Sequence, residues 1–171
     1  MWDISQFSIF CVIITIYPIK EYYLIMLENY TACFFGHRDS SSELMPILRT
    51  EIEKLITQKD VNSFYVGTNG NFDVMVHQVL KEIKEQHPQI EYTVVLAYVN
   101  DLYRYNKDDN VLLPEEIDNV PNRFAIPARN NWMIDKSRYV ICYINKNYGG
   151  AYKSVNRAKS AGKTIINLAE I

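Results

Sequence analysis

Short unbroken apolar runs alternate along this chain with stretches in which apolar residues recur every third or fourth position. Thr31 to Phe35 is a beta-favouring run ended by Gly36, the profile of a buried strand. Ser40-Ser41-Ser42 then supplies helix caps, and Leu44, Ile47, Leu48, Ile52, Leu55 and Ile56 form one helical stripe. Pro46 falls in the first turn of that helix, where a missing N–H costs little. Ser63 to Val66 predicts a second strand, and Phe72, Val76, Val79, Leu80 and Ile83 predict an amphipathic helix that stops before Pro88. Tyr92 to Val99 is almost continuously apolar, as in a central parallel strand. Asn100 to Ala128 is long, polar and proline-containing, the profile of a lid or binding loop, with one short helix near Glu115. Arg129 to Lys136 predicts a short helix and Tyr139 to Ile144 a fourth strand. Gly149-Gly150 opens a last helix carrying Tyr152, Val155 and Ala158, which Gly162 ends before a strand at Thr164 to Leu168.

Alternating strands and helices imply right-handed crossovers. The expected fold is therefore α/β: a Rossmann-like three-layer fold with a mostly parallel five-stranded sheet. In such sheets ligands bind outside the carboxyl ends of the strands, where the strand order reverses. Four strand ends here run into small, polar residues on that edge: Gly36-His37-Arg38, Gly67-Thr68-Asn69-Gly70-Asn71, the stretch after Tyr98, and Asn145 to Gly150. Helix N-termini add unpaired N–H groups and a positive dipole end. This layout predicts a pocket for a phosphorylated small molecule.

Composition narrows the picture in three places. A chain of 171 residues with 48% hydrophobic residues fits one domain with a real core, and a net charge of -2 gives no global pull toward nucleic acid or an anionic membrane. Acids cluster at Asp101, Asp108, Asp109, Glu115, Glu116 and Asp118, while Arg129, Lys136, Arg138, Lys146, Lys153, Arg157, Lys159 and Lys163 crowd the C-terminal part. A solvated basic face explains most of these cations; one or two would serve an anionic ligand. Cys11, Cys33 and Cys142 form no disulfide framework, and His37, His77 and His87 show no metal spacing, so a metal is not expected and a cytoplasmic setting is.

Residues 1 to 25 stand apart. The apolar run Phe7 to Tyr17 is too short to span a bilayer as a helix, and Asp3 precedes it where a signal peptide would carry positive charge. Met26 begins a plausible start just ahead of the first strand. The expected organisation is a non-native leader or N-terminal extension at 1-25 and a single domain at 26-171. The alternative for the leader is a membrane-associating or partner-binding segment.

The motifs each carry two readings. Gly67 to Asp73 is a strand-to-helix turn able to hold a phosphate on its N–H groups, or a plain structural turn; it has only half of the dinucleotide fingerprint. Asp73 is a first-turn helix acid or a hydroxyl acceptor for a ribose. Arg38 is a phosphate clamp or a surface ion pair. His37 has no evident carboxylate to orient it, which argues against a catalytic base. Gly162-Lys163-Thr164 is not a P-loop, because Arg157 stands where that pattern needs glycine and the triplet enters a strand.

Taken together, Thr31 to Arg38, Gly67 to Asp73, Arg129-Asn130-Asn131-Trp132-Met133-Ile134-Asp135, Gly149-Gly150 and Gly162 to Leu168 resemble the YpsA-like branch of the SLOG superfamily, which also contains DprA and the LOG phosphoribohydrolases. The resemblance implies a pocket for a nucleotide, nucleotide sugar or ADP-ribose-like ligand. The residues it points to are Gly36, His37, Arg38, Gly67, Thr68, Asn69, Gly70, Asn71, Asp73, Arg129, Asn130, Met133, Asp135, Gly149, Gly150 and Ala151. Two departures bear on activity. Ala151 follows the paired glycines where the branch carries threonine, and Asn156 occupies the place of the LOG glutamate; an amide cannot move protons as a carboxylate does.

The leading expectation is thus a ligand sensor or regulatory domain. A LOG-type nucleotide hydrolase using Asp73, Asp135 or His37 is the alternative, and DprA-like binding of single-stranded nucleic acid stands third. An unidentified protein partner and a homodimer are left open, and membrane contact is expected only if residues 1 to 25 are native.

Overall fold

The computed structural model describes residues 30–106, 109–117 and 120–171. The expectations for residues 1 to 25 and for Cys11 lie outside these. Among the described residues six strands form one sheet in the order β4-β3-β2-β1-β5-β6: β1 Thr31–Gly36, β2 Ser63–Val66, β3 Glu91–Val95, β4 Val111–Leu112, β5 Tyr139–Tyr143 and β6 Thr164–Asn167. Every pairing is parallel. The α/β, Rossmann-like architecture is as the sequence predicts, with six strands in place of five. The additional one, β4, is a two-residue strand inside the segment expected to be loop; two residues give no periodic signal.

Among the described residues four α-helices cover the sheet: α1 Met45–Lys59, α2 Asn71–Gln86, α3 Asn122–Asp135 and α4 Gly150–Ser160. Residues of β1 alternate between two cores. Ala32 and Phe34 pack with Leu48 and Ile52 of α1 and Val76, Val79, Leu80 and Ile83 of α2. Cys33 and Phe35 pack with Met133 and Ile134 of α3 and Val155 and Ala158 of α4. The period-2 alternation of a strand thus places one pair of helices on each face, giving three layers. An ion pair between Arg49 and Glu82 also links α1 to α2. Burial pushes both the Cys33 and Cys142 thiols up to about 12, so they act as small apolar residues.

Two expectations shift at α3 and β3. The apolar run from Tyr92 stops pairing at Val95 and turns into a 3-10 helix at Val99–Arg104. Helix α3 begins seven residues before Arg129, just after Pro121, and carries Pro127 within it. Proline reads as a breaker in sequence, yet tertiary packing holds the helix through it; Ala125 on its second turn is 2% exposed.

Candidate functional site

The strand order changes direction between β1 and β5. Chain leaves β1 toward β2 on one side, and later strands add on the other. A cavity of about 470 Å³ opens at the carboxyl ends of these strands. Its walls come from the turn after β1, the turn after β2, one face of α3, and the turn from β5 into α4. This is the crevice position at which open α/β sheets hold ligands.

Of the residues expected at a site, Gly36, His37, Arg38, Gly67, Asn69, Asp73, Arg129, Asn130, Met133, Gly149, Gly150 and Ala151 line this one cavity. Thr68, Gly70, Asn71 and Asp135 do not. Asp135 ends α3 and pairs with Arg157 at 2.8 Å on an exposed face of α4. Gly70 and Asn71 are spent on folding: Asn71 N–H donates to the Arg38 carbonyl at 3.0 Å, which locks the β1 and β2 turns together. Phe34, Phe35, Asp39 and Ile126, which the motifs do not single out as site residues, also line the cavity, as do Lys146 and Tyr148 from the expected Asn145 to Gly150 stretch. Asp39 directly follows the Gly36-His37-Arg38 turn, so its position was the available signal.

The glycines divide into two kinds. A Cβ on Gly36 would fall 2.1 Å from Cγ of Phe72, and one on Gly67 would lie 2.5 Å from both Arg129 Nη1 and Asp73 Oδ2. Gly70, at φ +110°, would bring a Cβ within 2.8 Å of the Arg38 Cα. These three are glycine because protein atoms fill the space a side chain would take. Around Gly149 and Gly150 nothing lies within 4 Å of a Cβ. Here the backbone is bare toward open space.

The two helix N-termini facing the cavity differ in the same way. At α2, the helix's own Asp73 accepts from the Asn69 N–H at 2.7 Å, so a built-in carboxylate occupies the turn. At α4 the N-cap is Gly149, no side chain caps it, and its first turn holds no acid. The N–H groups of that first turn and the helix dipole therefore remain the anion-attracting feature of the cavity. Lys146, three residues before the cap, adds a cation.

Behind the cavity runs a buried polar network. Arg129, 3% exposed, donates from Nη1 to the Val95 carbonyl at 2.9 Å, from Nη2 to Asn69 Oδ1 at 3.0 Å, and from Nε to Asn130 Oδ1 at 2.8 Å. Asn130 Nδ2 donates in turn to Ser154 Oγ at 3.0 Å, and that hydroxyl donates to the Gly150 carbonyl at 3.1 Å. The turn after β2, the end of β3 and the first turn of α4 are thus held by one relay. Arg129 therefore holds the fold together as well as lining the cavity. All three guanidinium nitrogens are committed to protein acceptors.

Burial raises the Asp73 carboxyl above its ordinary range, against the opposing pull of Arg129. Burial lowers His77, whose Nε2–H donates to the Gly67 carbonyl at 3.1 Å. His37 is lowered by burial and then by Lys146, so it is neutral at pH 7; its Nε2 is buried with no hydrogen-bond partner among the described residues. The cavity's other carboxylate, Asp39, is held below the usual range by its hydrogen bond from Lys146 at 2.6 Å. Each carboxylate at the cavity is therefore tied to a protein donor. Among the described residues no cluster of histidine, cysteine and acid could hold a metal ion.

No family model and no curated protein matches this chain. Among solved structures the chain is similar to DNA processing protein A (DprA) from Streptococcus pneumoniae. The two share 19% identity and a TM-score of 0.59, over 82% of this chain and 50% of that one. The chain thus has the fold of half of DprA. At this identity the likeness speaks for the fold alone, and with the parallel sheet it establishes the Rossmann-like architecture. No helix of the described residues is long and apolar enough to cross a membrane.

Proposed function

We propose that this chain binds a nucleotide-derived small molecule at the carboxyl edge of its sheet and acts as a ligand sensor or regulatory domain, in the manner of the YpsA-like branch of the SLOG superfamily. The observation that carries the reading is the bare Gly149–Gly150 turn at the start of α4: an uncapped helix N-terminus without an acid, facing a 470 Å³ cavity beside Lys146. A phosphate placed there would accept N–H bonds from α4 and face the Lys146 ammonium. The ligand class, a nucleotide, nucleotide sugar or ADP-ribose-like molecule, comes from the crevice position and the motif resemblance.

Binding without turnover is favoured over LOG-type hydrolysis by the state of the acids. Asp73 is turned to backbone, Asp39 to Lys146, and Asn156 sits exposed on α4 away from the cavity lining. The test is to identify by mass spectrometry what co-purifies with the full chain, then to incubate the protein with nucleotides and analyse products. Bound nucleotide with no product supports a sensor. Product formation that Asp73→Asn abolishes would replace it with an enzyme.

The DprA-like fold gives one specific ground for a second reading, binding of single-stranded nucleic acid, since that protein is named for DNA processing. Such binding would weaken steeply with salt. The C-terminal cations are partly spent within the protein, Arg157 on Asp135 and Lys146 on Asp39, which leaves the small-molecule reading ahead.

A further inference from the structure

A second cavity, of about 380 Å³, opens beyond β3 and β4, on the far side of the first half of α3. The two hollows are neighbours. Ala125 lines the second and Ile126 the first, adjacent on the helix, along which the second reaches back to Asn122 and the first on to Met133. Their chemistry is opposite. The first carries Lys146, Arg38 and the α4 N-terminus. Among the described residues lining the second there is no lysine, arginine or histidine, and the one charged group is Asp101.

Leu113, Ile117 and Ala125 supply apolar wall, and the Tyr98 hydroxyl donates across the rim to the Asn122 carbonyl at 3.4 Å. Asp101 is fixed by its place in the 3-10 helix, its N–H donating to the Tyr98 carbonyl at 3.1 Å. Oδ1 faces Arg104 at 3.4 Å, and Oδ2 takes no protein hydrogen bond among the described residues. An ionised carboxylate only accepts. A phosphate would be repelled here, whereas a flat, largely apolar group bearing N–H donors would meet apolar wall and an acceptor.

We infer that the second cavity receives the base of the nucleotide-derived ligand, with a preference for bases carrying an exocyclic amino group, which Asp101 accepts. The inference rests on the first cavity holding the phosphate. Arg129 lines the first cavity and lies close enough to feel both Asp73 and Asp101, and its hydrogen bonds to the Val95 carbonyl and Asn69 fix the end of β3 and the turn after β2.

Titration calorimetry of the full chain with ribose 5-phosphate and with the 5′-monophosphates of adenosine, cytidine, guanosine and uridine tests it. The wild-type protein is expected to bind the amino-bearing nucleotides more tightly than uridine monophosphate or ribose 5-phosphate. Ala125→Leu, which fills the second cavity, is expected to lower nucleotide affinity about tenfold or more while ribose 5-phosphate binds as before. Asp101→Leu removes the acceptor at similar volume and is expected to erase the preference for amino-bearing bases, a loss of about tenfold for one charge-assisted hydrogen bond; it decides the matter if Ala125→Leu does not fold. Equal binding of ribose 5-phosphate and all four nucleotides by the wild-type protein, or a preference that survives Asp101→Leu, overturns the base site and leaves the phosphate site standing. No binding of any of the five overturns both.

Discussion

The Lys146 ammonium lies 2.6 Å from the Asp39 carboxylate and so ties the turn after β5 to the turn after β1, across the point where the sheet changes direction. A bound phosphate would compete with Asp39 for that cation. Asp39→Asn is therefore expected to tighten binding of a phosphorylated ligand and Lys146→Ala to weaken it, both measured by calorimetry. Both side chains are substantially exposed, so the melting temperature should hardly move in either variant. Weaker binding in Asp39→Asn would show that the carboxylate itself touches ligand.

The glycines give a second prediction through their contrast. Gly36→Ala and Gly67→Ala place a methyl group where Phe72, or Arg129 and Asp73, already lie, and each should cost about 1–3 kcal/mol or more by overpacking. Gly70→Val adds a disallowed φ to a clash with the Arg38 backbone and should be worse. Gly150→Ala meets open space and should leave stability within about 1 kcal/mol. Urea denaturation of the four variants checks the ranking. A Gly150→Ala protein as unstable as Gly36→Ala would show that the turn is packed and not open.

Arg129→Ala should be among the most destabilising single changes. It leaves the Val95 carbonyl, Asn69 and Asn130 without a donor and Asp73 buried with its facing cation gone, a loss of roughly 3 kcal/mol or more. Arg129→Lys should recover only part, because an ammonium on a flexible stem does not reproduce the three-way fork. A full-stability Arg129→Ala protein in urea melts would contradict the network.

Most of the architecture was legible because β1, β2, β5 and β6 are short apolar runs between glycine turns and helical stripes, patterns that follow directly from strand and helix periodicity. The site was legible to the extent that glycine turns mark strand ends. Sequence could not tell that Gly36, Gly67 and Gly70 are glycine for packing while Gly149 and Gly150 face space, since that distinction depends on Phe72, Arg129 and Arg38 arriving from elsewhere. Nor could it show Asp135 turned away toward Arg157. Helix α3 was half missed because Pro121 and Pro127 read as breakers, although one starts the helix and packing carries the helix through the other.

Stability should fall on acidification, and histidine is one cause. His77 and His37 both have folded-state values below the ordinary 6.5 because burial disfavours the imidazolium. Between the folded and unfolded values the unfolded chain binds more protons. Their contribution is therefore complete above about 6.5 and lost as pH drops through the folded values. Asp73, raised by burial, acts with the opposite sign: its contribution is complete below its unfolded value and lost as pH rises through the folded one. His77→Gln, which keeps a donor for the Gly67 carbonyl, should flatten the acid side of a stability profile taken from about pH 7.5 to 5.5. An unchanged slope would show that His77 does not titrate in the folding equilibrium.

The most direct test of the central claim is calorimetric titration of a nucleotide panel into the wild-type protein and into Gly150→Leu, whose side chain would enter the open space at the start of α4. The account predicts binding of at least one phosphorylated nucleotide by the wild-type protein, and loss of that binding in Gly150→Leu at an unchanged melting temperature. Equal affinity in the two proteins, or no nucleotide bound by the wild-type chain, would contradict it.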